Sequence, residues 1–526
     1  MSISKLLIQQ FGGSNGPVVM VRLTTREKLR VAISMFAGKI IGVVVLLAAM
    51  KFLPQLLGSA ATAQEVYTPH ETVLYNTANT IWTMVAAFLV FGMQPGFVML
   101  EAGFARKRET VNVLMECIFD TCICGLLFWG VGYAFMFGHG NGIIGWGGLN
   151  ADGKTIQNWF FLQNTPETYE ATGIPILAHW VFQFAFADTT STVTSGAMIG
   201  RTSFRGDILY SIGVTGFIYP IIGHWAWGPD GFLALMGTPG HLFPALGQSF
   251  RDFAGSTVVH TIGGMVSLAG AIVLGPRLGR VFKRDGGGMP APHNLTLAAV
   301  GAFILWFGWY GFNPGSTLSA VDMQGIGRVA ANTTLAACAG GISAMYFALW
   351  FGDTKGKFDL GYTINGLLGG LVAITCPCYW VTPFGAIMLG LIAGIVVYLG
   401  IILLEHLRID DPIGAVAVHG FCGIWGTISL GFFAVGKYGA TGAMGADNTA
   451  PVAGLFYGGG AAVLKAQVVG SLIITISTFA VSLVLMWLVN QLPAPWRLRV
   501  EAEAETGPGG LDVFEHGTSA YPVEGD

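Results

Sequence analysis

Stretches of about 20 apolar residues, relieved mostly by Gly, Ala and isolated polar side chains, recur almost end to end along this chain. Twenty helical residues rise ~30 Å, the depth of a bilayer's hydrocarbon core. The pattern therefore predicts eleven membrane-crossing helices, at 78–103, 111–137, 174–199, 206–228, 253–276, 295–313, 329–351, 361–381, 385–404, 412–434 and 463–489. Two of these segments carry a side chain that lipid does not call for. Residues 252–264, DFAGSTVVHTIGG, and residues 411–423, DPIGAVAVHGFCG, align without a gap and share the Asp, the first Gly, the Val before the His, the His and the final Gly.

Composition fixes the class. The 526 residues are 53% hydrophobic and 10% charged, whereas an ordinary globular protein carries roughly 25% charged residues. With a mean hydropathy of +0.62, the chain reads as an all-α polytopic membrane protein, and a soluble enzyme is excluded. A net charge of −3 without a long basic stripe gives no sign of nucleic-acid binding. All seven cysteines fall within predicted spans, Cys376 and Cys378 near the end of one, in an odd number and without regular spacing. Neither a disulfide framework nor a metal site follows. No acid/base pair, nucleophile triad or phosphate loop appears, so neither enzyme activity nor a cofactor is expected.

Charge also orients the chain. Arg22, Arg26, Lys28 and Arg30 precede the apolar run at 40–50, and small residues stand around Ala61 and Ala63. Residues 1–63 read either as a signal peptide cleaved near Ala63 or as an extra span, the second because the charged lead is long and Lys51 interrupts the run. Either way, residues 64–77 form an outer segment before the first main span. Alternating from there, the inner connections receive Arg106, Lys107, Arg108, Arg201, Arg205, Arg277, Arg280, Lys283, Arg284, Lys355, Lys357, Arg408, Arg497 and Arg499. The outer connections and outer span ends hold Lys154, Arg251, Arg328, Lys437 and Lys465. That excess matches an outside N-terminus and a cytoplasmic tail at 490–526.

In this topology the fifth span starts outside and the tenth inside, so the two histidine segments run in opposite directions. The expected architecture is a 5+5 inverted repeat, 78–276 and 295–434, with 463–489 as an eleventh helix. Eight residues separate each Asp from its His, ~12 Å of helix, against ~15 Å for half a hydrocarbon core. Both histidines thus approach the midplane from opposite faces. A helix-to-helix hydrogen bond or a haem held between helices are alternative uses for them. A haem path more naturally wants a second pair, and none of the other eight histidines is so placed. An ionisable side chain at membrane depth usually lines a pathway, and that reading is preferred for the histidines, whereas the two Asp residues read as N-caps.

The run from Asp252 to Arg277 closely resembles the signature of the ammonium transporter (Amt/Mep/Rhesus) family. GMQPGFVMLEAGFARKRETVN at 92, FQFAFADTTSTVTSGA at 182, YPIIGHWAWGPDG at 219, GWYGFNPGS at 308, DDPIGAVAVHGFCGIWG at 410 and GLDVFEHGTSAY at 510 extend the resemblance over residues 76 to 522. It implies the family's eleven-helix fold in the bilayer, a homotrimer with one pore per subunit, and ammonium uptake across the bacterial inner membrane. Carried over by motif, His260 and His419 would be the twin histidines of the pore, and Phe186 and Phe312 the stacked gate. Phe182, Trp227 and Ser316 would recruit the substrate, with Asp252 shaping that site through backbone contacts and Trp309 and Tyr219 supporting its walls. The tail looks like the family's regulatory C-terminus, with a PII-type nitrogen signal protein as implied partner.

The chemistry agrees with the resemblance. Ammonium matches potassium in charge and approximate size, but it donates hydrogen bonds and can lose a proton. Aromatic rings attract either cation, while an apolar tube passes neutral ammonia and penalises an ion. Two imidazoles, each able to donate and accept, suit a proton relay. The alternatives are an ammonium sensor with little flux, which a fused signalling domain would mark, and a Rhesus-type channel, which the Trp227 and Phe186/Phe312 set disfavours. Two departures stand out. Gly200 precedes Arg201 where the family often has Glu, which calls the usual inner-end contact of the third span into question. Asp188 stands where a small residue is expected, read either as a hydrogen bond to a Thr or Ser on the next helix or as an extra proton or cation site below the gate. Glu116 and Asp120 raise a similar question.

Overall fold

The computed structural model describes residues 69–149, 156–169, 172–352, 356–436 and 452–521, all within one compact unit, Ala61–Asp526. The leader expected at 1–63, together with Lys154, Lys355 and Lys437, lies outside the described residues. Each of the eleven expected spans is helical. In chain order the α-helices are α1 (Pro69–Phe91), α2 (Met93–Phe104), α3 (Thr110–Leu127), α4 (Tyr133–Phe137), α5 (Ile176–Ser195), α6 (Phe204–Gly213), α7 (Tyr219–Trp227), α8 (Ile262–Leu274), α9 (Leu295–Phe312), α10 (Met323–Phe351), α11 (Leu360–Thr375), α12 (Pro383–Leu407), α13 (Cys422–Phe433) and α14 (Ala462–Asn490), followed by the short α15 (Ala502–Thr506) and α16 (Gly510–His516). Four π-helical segments, Phe128–Gly132, Val214–Ile218, Ser256–Thr261 and Val416–Phe421, join or extend them. Among the described residues the strands form a three-stranded antiparallel sheet, β1 (His139–Gly140), β2 (Gly145–Leu149) and β3 (Ile156–Asn158), and a two-stranded one, β4 (Thr168–Tyr169) with β5 (Ile174–Pro175), all between α4 and α5.

Nine helical stretches among the described residues are long and apolar enough to cross a bilayer, and Leu360–Thr375 is a shorter apolar one. Helix α5 is the exception, because its second half reads DTTSTVTS. The helix tolerates this run because hydroxyls bond back one turn: Thr189 to the Ala185 carbonyl (2.9 Å), Thr190 to Phe186 (3.1 Å), Thr192 to Asp188 (3.1 Å) and Thr194 to Thr190 (3.1 Å). Such back-bonding satisfies hydroxyls inside a helix. Two expected boundaries move. The segment expected to precede the first span is already helical from Pro69, where Thr77 and Thr80 bond back to Val73 and Asn76. Helix α11 stops at Thr375, six residues early, because the next amide, Cys376 N–H, donates to the Ser256 hydroxyl (2.7 Å) and Pro377 has no N–H to offer.

Lipid is as apolar as a leucine side chain, so close packing between small residues holds such a bundle together. Glycine makes up 77 of the 526 residues, and several of the described ones lie where helices touch. A Cβ at Gly301 would stand 2.5 Å from the Gly96 carbonyl oxygen, and one at Gly394 would stand 2.8 Å from the Ala344 nitrogen. The connections gather at two ends. At one end Arg277 pairs with Asp410, Arg408 with Asp285, and His293 with the Ala105 carbonyl and Tyr521. At the other end His139 meets Asp230, Tyr379 donates to Asp322, and the Arg251 backbone is held by Gln467. The first end carries the C-terminal tail and is called the tail face below.

Candidate functional site

The shared residues of the two repeats act in the same way in both copies. The Asp252 carboxylate accepts from four backbone amides: Gly255 and Ser256 on Oδ1 (3.0 Å each), Thr257 and Val258 on Oδ2 (2.8 Å each). Asp411 accepts from Ala415 and Val416 (2.9 Å each). Both are caps on a helix N-terminus. The glycine three residues on takes a left-handed backbone in each, φ +110 at Gly255 and φ +83 at Gly414, which a side chain would strain. The chain then enters a π-helical turn that carries the histidine, a form that often marks functional sites.

The final shared glycines explain how the copies meet. A Cβ at Gly264 would lie 2.5 Å from Gly420 Cα, and one at Gly423 would lie 3.0 Å from the Thr261 nitrogen. Thr257 and Thr427 hydroxyls are hydrogen-bonded. As residue numbers rise on one segment they fall on the other, so the two histidine segments cross antiparallel at glycine contact distance. That crossing brings His260 and His419 together: the ring centroids are 5.2 Å apart and the two Nδ1 atoms 3.2 Å apart. At that separation one Nδ1 donates and the other accepts. His260 is fully buried and its Nε2 has no protein partner.

Above the pair the aromatic residues form a continuous column. Phe312 stacks 5.4 Å from His260 and 4.1 Å from Phe186, and Phe186 lies 4.7 Å from Phe182 and 6.1 Å from Trp227. Trp309 lies flat against His260 at 5.1 Å and is fixed by its indole N–H on Thr375 (2.9 Å). Trp227 donates to the Asp252 carbonyl (2.7 Å), so the residue that caps the His260 turn also orients this indole. Ser316 sits in the 3-10 turn Pro314–Thr317 and donates to the Phe312 carbonyl (2.7 Å), beside Gly315, where a Cβ would come 3.2 Å from the Phe182 ring. Its hydroxyl lone pairs remain available as acceptors. Tyr219 is fully buried, 6.4 Å from the Phe128 ring, and its hydroxyl lacks a completed hydrogen bond.

Two residues behave differently from expectation. Asp188 follows Phe186 by two positions, about 200° around a helix, so it points away from the ring column. It stands beside Gln94 of α2 and Thr121 of α3, short of hydrogen-bond geometry with either. A Thr hydroxyl of a neighbouring helix thus stands beside the carboxyl without a completed hydrogen bond. Gly200 has φ +84, and a Cβ would be 2.7 Å from Glu109 Cδ. The space a side chain at position 200 would enter is thus filled by the Glu109 carboxylate, which pairs with Arg106. Arg201 is buried and donates to the carbonyls of Gly275 (3.0 Å) and Asp410 (2.7 Å).

Sequence reasoning missed Gln467, whose side chain accepts from the Arg251 amide (2.8 Å) and donates to the Arg251 (2.7 Å) and Thr427 (3.1 Å) carbonyls. An amide inside an otherwise apolar eleventh span was the available signal. On the tail face, Arg277 grips Asp410 through two nitrogens (2.8 and 2.9 Å) and Arg280 adds a third contact (3.2 Å). Burial opposes ionisation of Asp410, but the Arg277 hydrogen bonds and the Arg277 and Arg201 charges outweigh it, holding the carboxyl well below its ordinary range. The tail crosses this face: Arg499 donates to the Leu274 carbonyl (2.7 Å), Glu505 accepts from Arg499 (2.6 Å) and from the Leu278 amide, and Asp512 accepts from the Asn112 amide (3.0 Å).

Comparison with known proteins agrees with this arrangement. The profile of the Ammonium Transporter Family matches residues 81–521. The chain is 41% identical over 445 residues to an ammonium transporter, Amt2, of Archaeoglobus fulgidus, covering 84% of this chain and 88% of that one. It is 34% identical over 468 residues to ammonium transporter 1 member 3 of Solanum lycopersicum, covering 86% and 94%. Among solved structures it resembles a "Sensor Amt Protein" with TM-score 0.70 and 33% identity, covering 84% of this chain and 99% of that chain, and Saccharomyces cerevisiae Mep2 with TM-score 0.69 and 26% identity, covering 81% and 91%.

Proposed function

The chain belongs to the ammonium transporter family, and from that premise we propose that it recruits ammonium at Phe182, Trp227 and Ser316, strips a proton near the Phe186/Phe312 gate, and conducts ammonia past His260 and His419. The observation that carries this reading is the 3.2 Å contact between the two Nδ1 atoms directly beneath the stacked phenyl pair. A cation at the aromatic face is attracted by the ring quadrupoles. Phe186 and Phe312, stacked with centroids 4.1 Å apart, leave no gap between them, so passage requires a ring to swing aside, and crossing that dry constriction strips water at a cost that falls on an intact ion and not on neutral ammonia. Potassium has no neutral form, so the same step rejects it. The free Nε2 of His260 offers ammonia a hydrogen-bonding partner, and the shared Nδ1 proton gives the released proton a route.

Orientation follows from charge. We place the tail face in the cytoplasm because the basic residues gather there, with the recruitment site outside, each chain forming one pore of a homotrimer in a bacterial inner membrane. The docked tail is the natural contact for a PII-type partner. Current on ammonium addition to proteoliposomes tests the proton route: net inward charge supports the relay, and ammonium uptake without charge movement makes the protein an ammonia channel that returns the proton outside. Similarity to a protein named as an Amt sensor supports a second reading, sensing with minor flux. A cell lacking other ammonium carriers separates the two, since rescue of growth on low ammonium requires transport.

A further inference from the structure

Five carboxyl side chains lie outside the pore, inside the first half of the bundle: Glu101 on α2, Glu116 and Asp120 on α3, Asp188 on α5 and Asp207 on α6. None is more than 2% exposed, and none forms an ion pair among the described residues. They interact with one another, Asp207 with Glu116, Asp120 and Glu101, and Asp120 with Asp188. Glu101 accepts from Ser195 (3.2 Å) and Glu116 from Asn112 (2.7 Å). Both oxygens of Asp120, Asp188 and Asp207 lack a completed hydrogen bond.

Two further side chains point into the group. Tyr210 and Ser211 on α6 are buried, stand beside Asp207 and Asp120, and carry hydroxyls without a completed hydrogen bond. Orphaned donors and acceptors this deeply buried call for ordered water. The other titratable groups facing the cluster are the thiols of Cys117 and Cys124. Five buried carboxylates linked by mutual repulsion and without a countercharge cannot all stay ionised in so dry a place, and no His, Cys, Asp and Glu group among the described residues is arranged to hold a metal ion.

One end of the cluster reaches the tail. Asn112 donates to Glu116, while its side-chain oxygen meets His516 Nε2 (3.0 Å) and its amide donates to Asp512 (3.0 Å). His516 is half-buried, edge-on to Phe204 at 5.2 Å, with Arg205 near Glu515 on the same edge. From Asn112 to Asp120 is eight residues on one helical face, ~12 Å.

We infer that Glu116, Asp120 and Asp207, with Glu101 and Asp188 flanking them, form a water-containing proton-binding site separate from the histidine pore, and that it exchanges protons with the tail face where Asn112 and His516 of the docked tail helix close it. The chemical step is a carboxylate and a hydronium ion giving a carboxylic acid and water, with no change at carbon. Helix α16 is then a lid over a proton store, and its docking responds to how the store is filled.

Infrared spectra of the full-length protein in lipid at neutral pH test this. The expected result is a carboxylic C=O stretch that shifts in heavy water, persists in His260→Asn/His419→Asn and loses intensity in Asp120→Asn and in Glu116→Gln. Absence of such a band in the unsubstituted protein overturns the proposal, with no need for any variant to fold, and so does a band indifferent to both carboxyl substitutions. His516→Ala should speed deuterium exchange of that band several-fold. An unchanged rate overturns the tail-face route. Because the readout is spectroscopic, failure of the transport reading leaves this test intact.

Discussion

Replacing Asp252 by Ala removes the acceptor for four buried amides at 2.8–3.0 Å. A buried donor left unsatisfied costs about 1–3 kcal/mol, so even the low end sums to about 4 kcal/mol, more than the ~0.5–2 kcal/mol of an ordinary cap. Asp411→Ala frees two amides, and its cost should be about half as large by the same count. Asp252→Asn keeps one accepting oxygen but turns an N–H₂ toward two amide donors, placing it between wild type and Ala. The His260 turn begins at these amides and the Trp227 indole is held by the same residue, so ammonium uptake should fall with stability. Thermal unfolding in detergent, paired with uptake into proteoliposomes, reads both quantities. Asp252→Ala no less stable than Asp411→Ala, or with undiminished uptake, would refute the claim that this cap positions the imidazole.

Gly264→Val places a Cβ 2.5 Å from Gly420 Cα. Such overpacking costs about 1–3 kcal/mol or more, and the antiparallel crossing should open, lowering both thermal stability and uptake. Asp410 lies outside the spans with its carboxyl held below the ordinary range, so its contribution is complete above the usual carboxylate pKa of about 3.9 and is lost as pH falls through its depressed value. Asp410→Asn, which strands the buried Arg277, should therefore lower stability at neutral pH by about 3–5 kcal/mol. The gap to wild type should narrow in melting curves taken well below pH 4. A constant gap at all pH values would contradict the assignment.

Much of the fold was legible in apolar run length, because a bilayer fixes how long a helix must be. The third span was legible as a run, but how DTTSTVTS sits in a membrane helix was not, since only the structure reveals hydroxyls bonding back along it. The Asp, Gly and His positions of the repeat were visible as spacing. Their π-helical geometry was not, since nothing in VVHT or VAVH distinguishes a π turn from an α turn. Asp188 was read by proximity in sequence to Phe186, whereas helical rotation sends it toward α2 and α3. At Gly200 the sequence alone puts the inner-end contact of the third span in question. The partner Glu109 lies 91 positions away in sequence, and no local pattern announces it.

The central claim is that selectivity comes from two touching imidazoles in an apolar conduit. Ammonium and potassium uptake measured in parallel, in proteoliposomes of wild type and of His260→Asn/His419→Asn, test it most directly. Wild type should take up ammonium with potassium at background, and the folded double variant should lose ammonium uptake by about two orders of magnitude, the scale of a single positioned acid/base group. A double variant that carries ammonium at the wild-type rate while still excluding potassium would contradict the account.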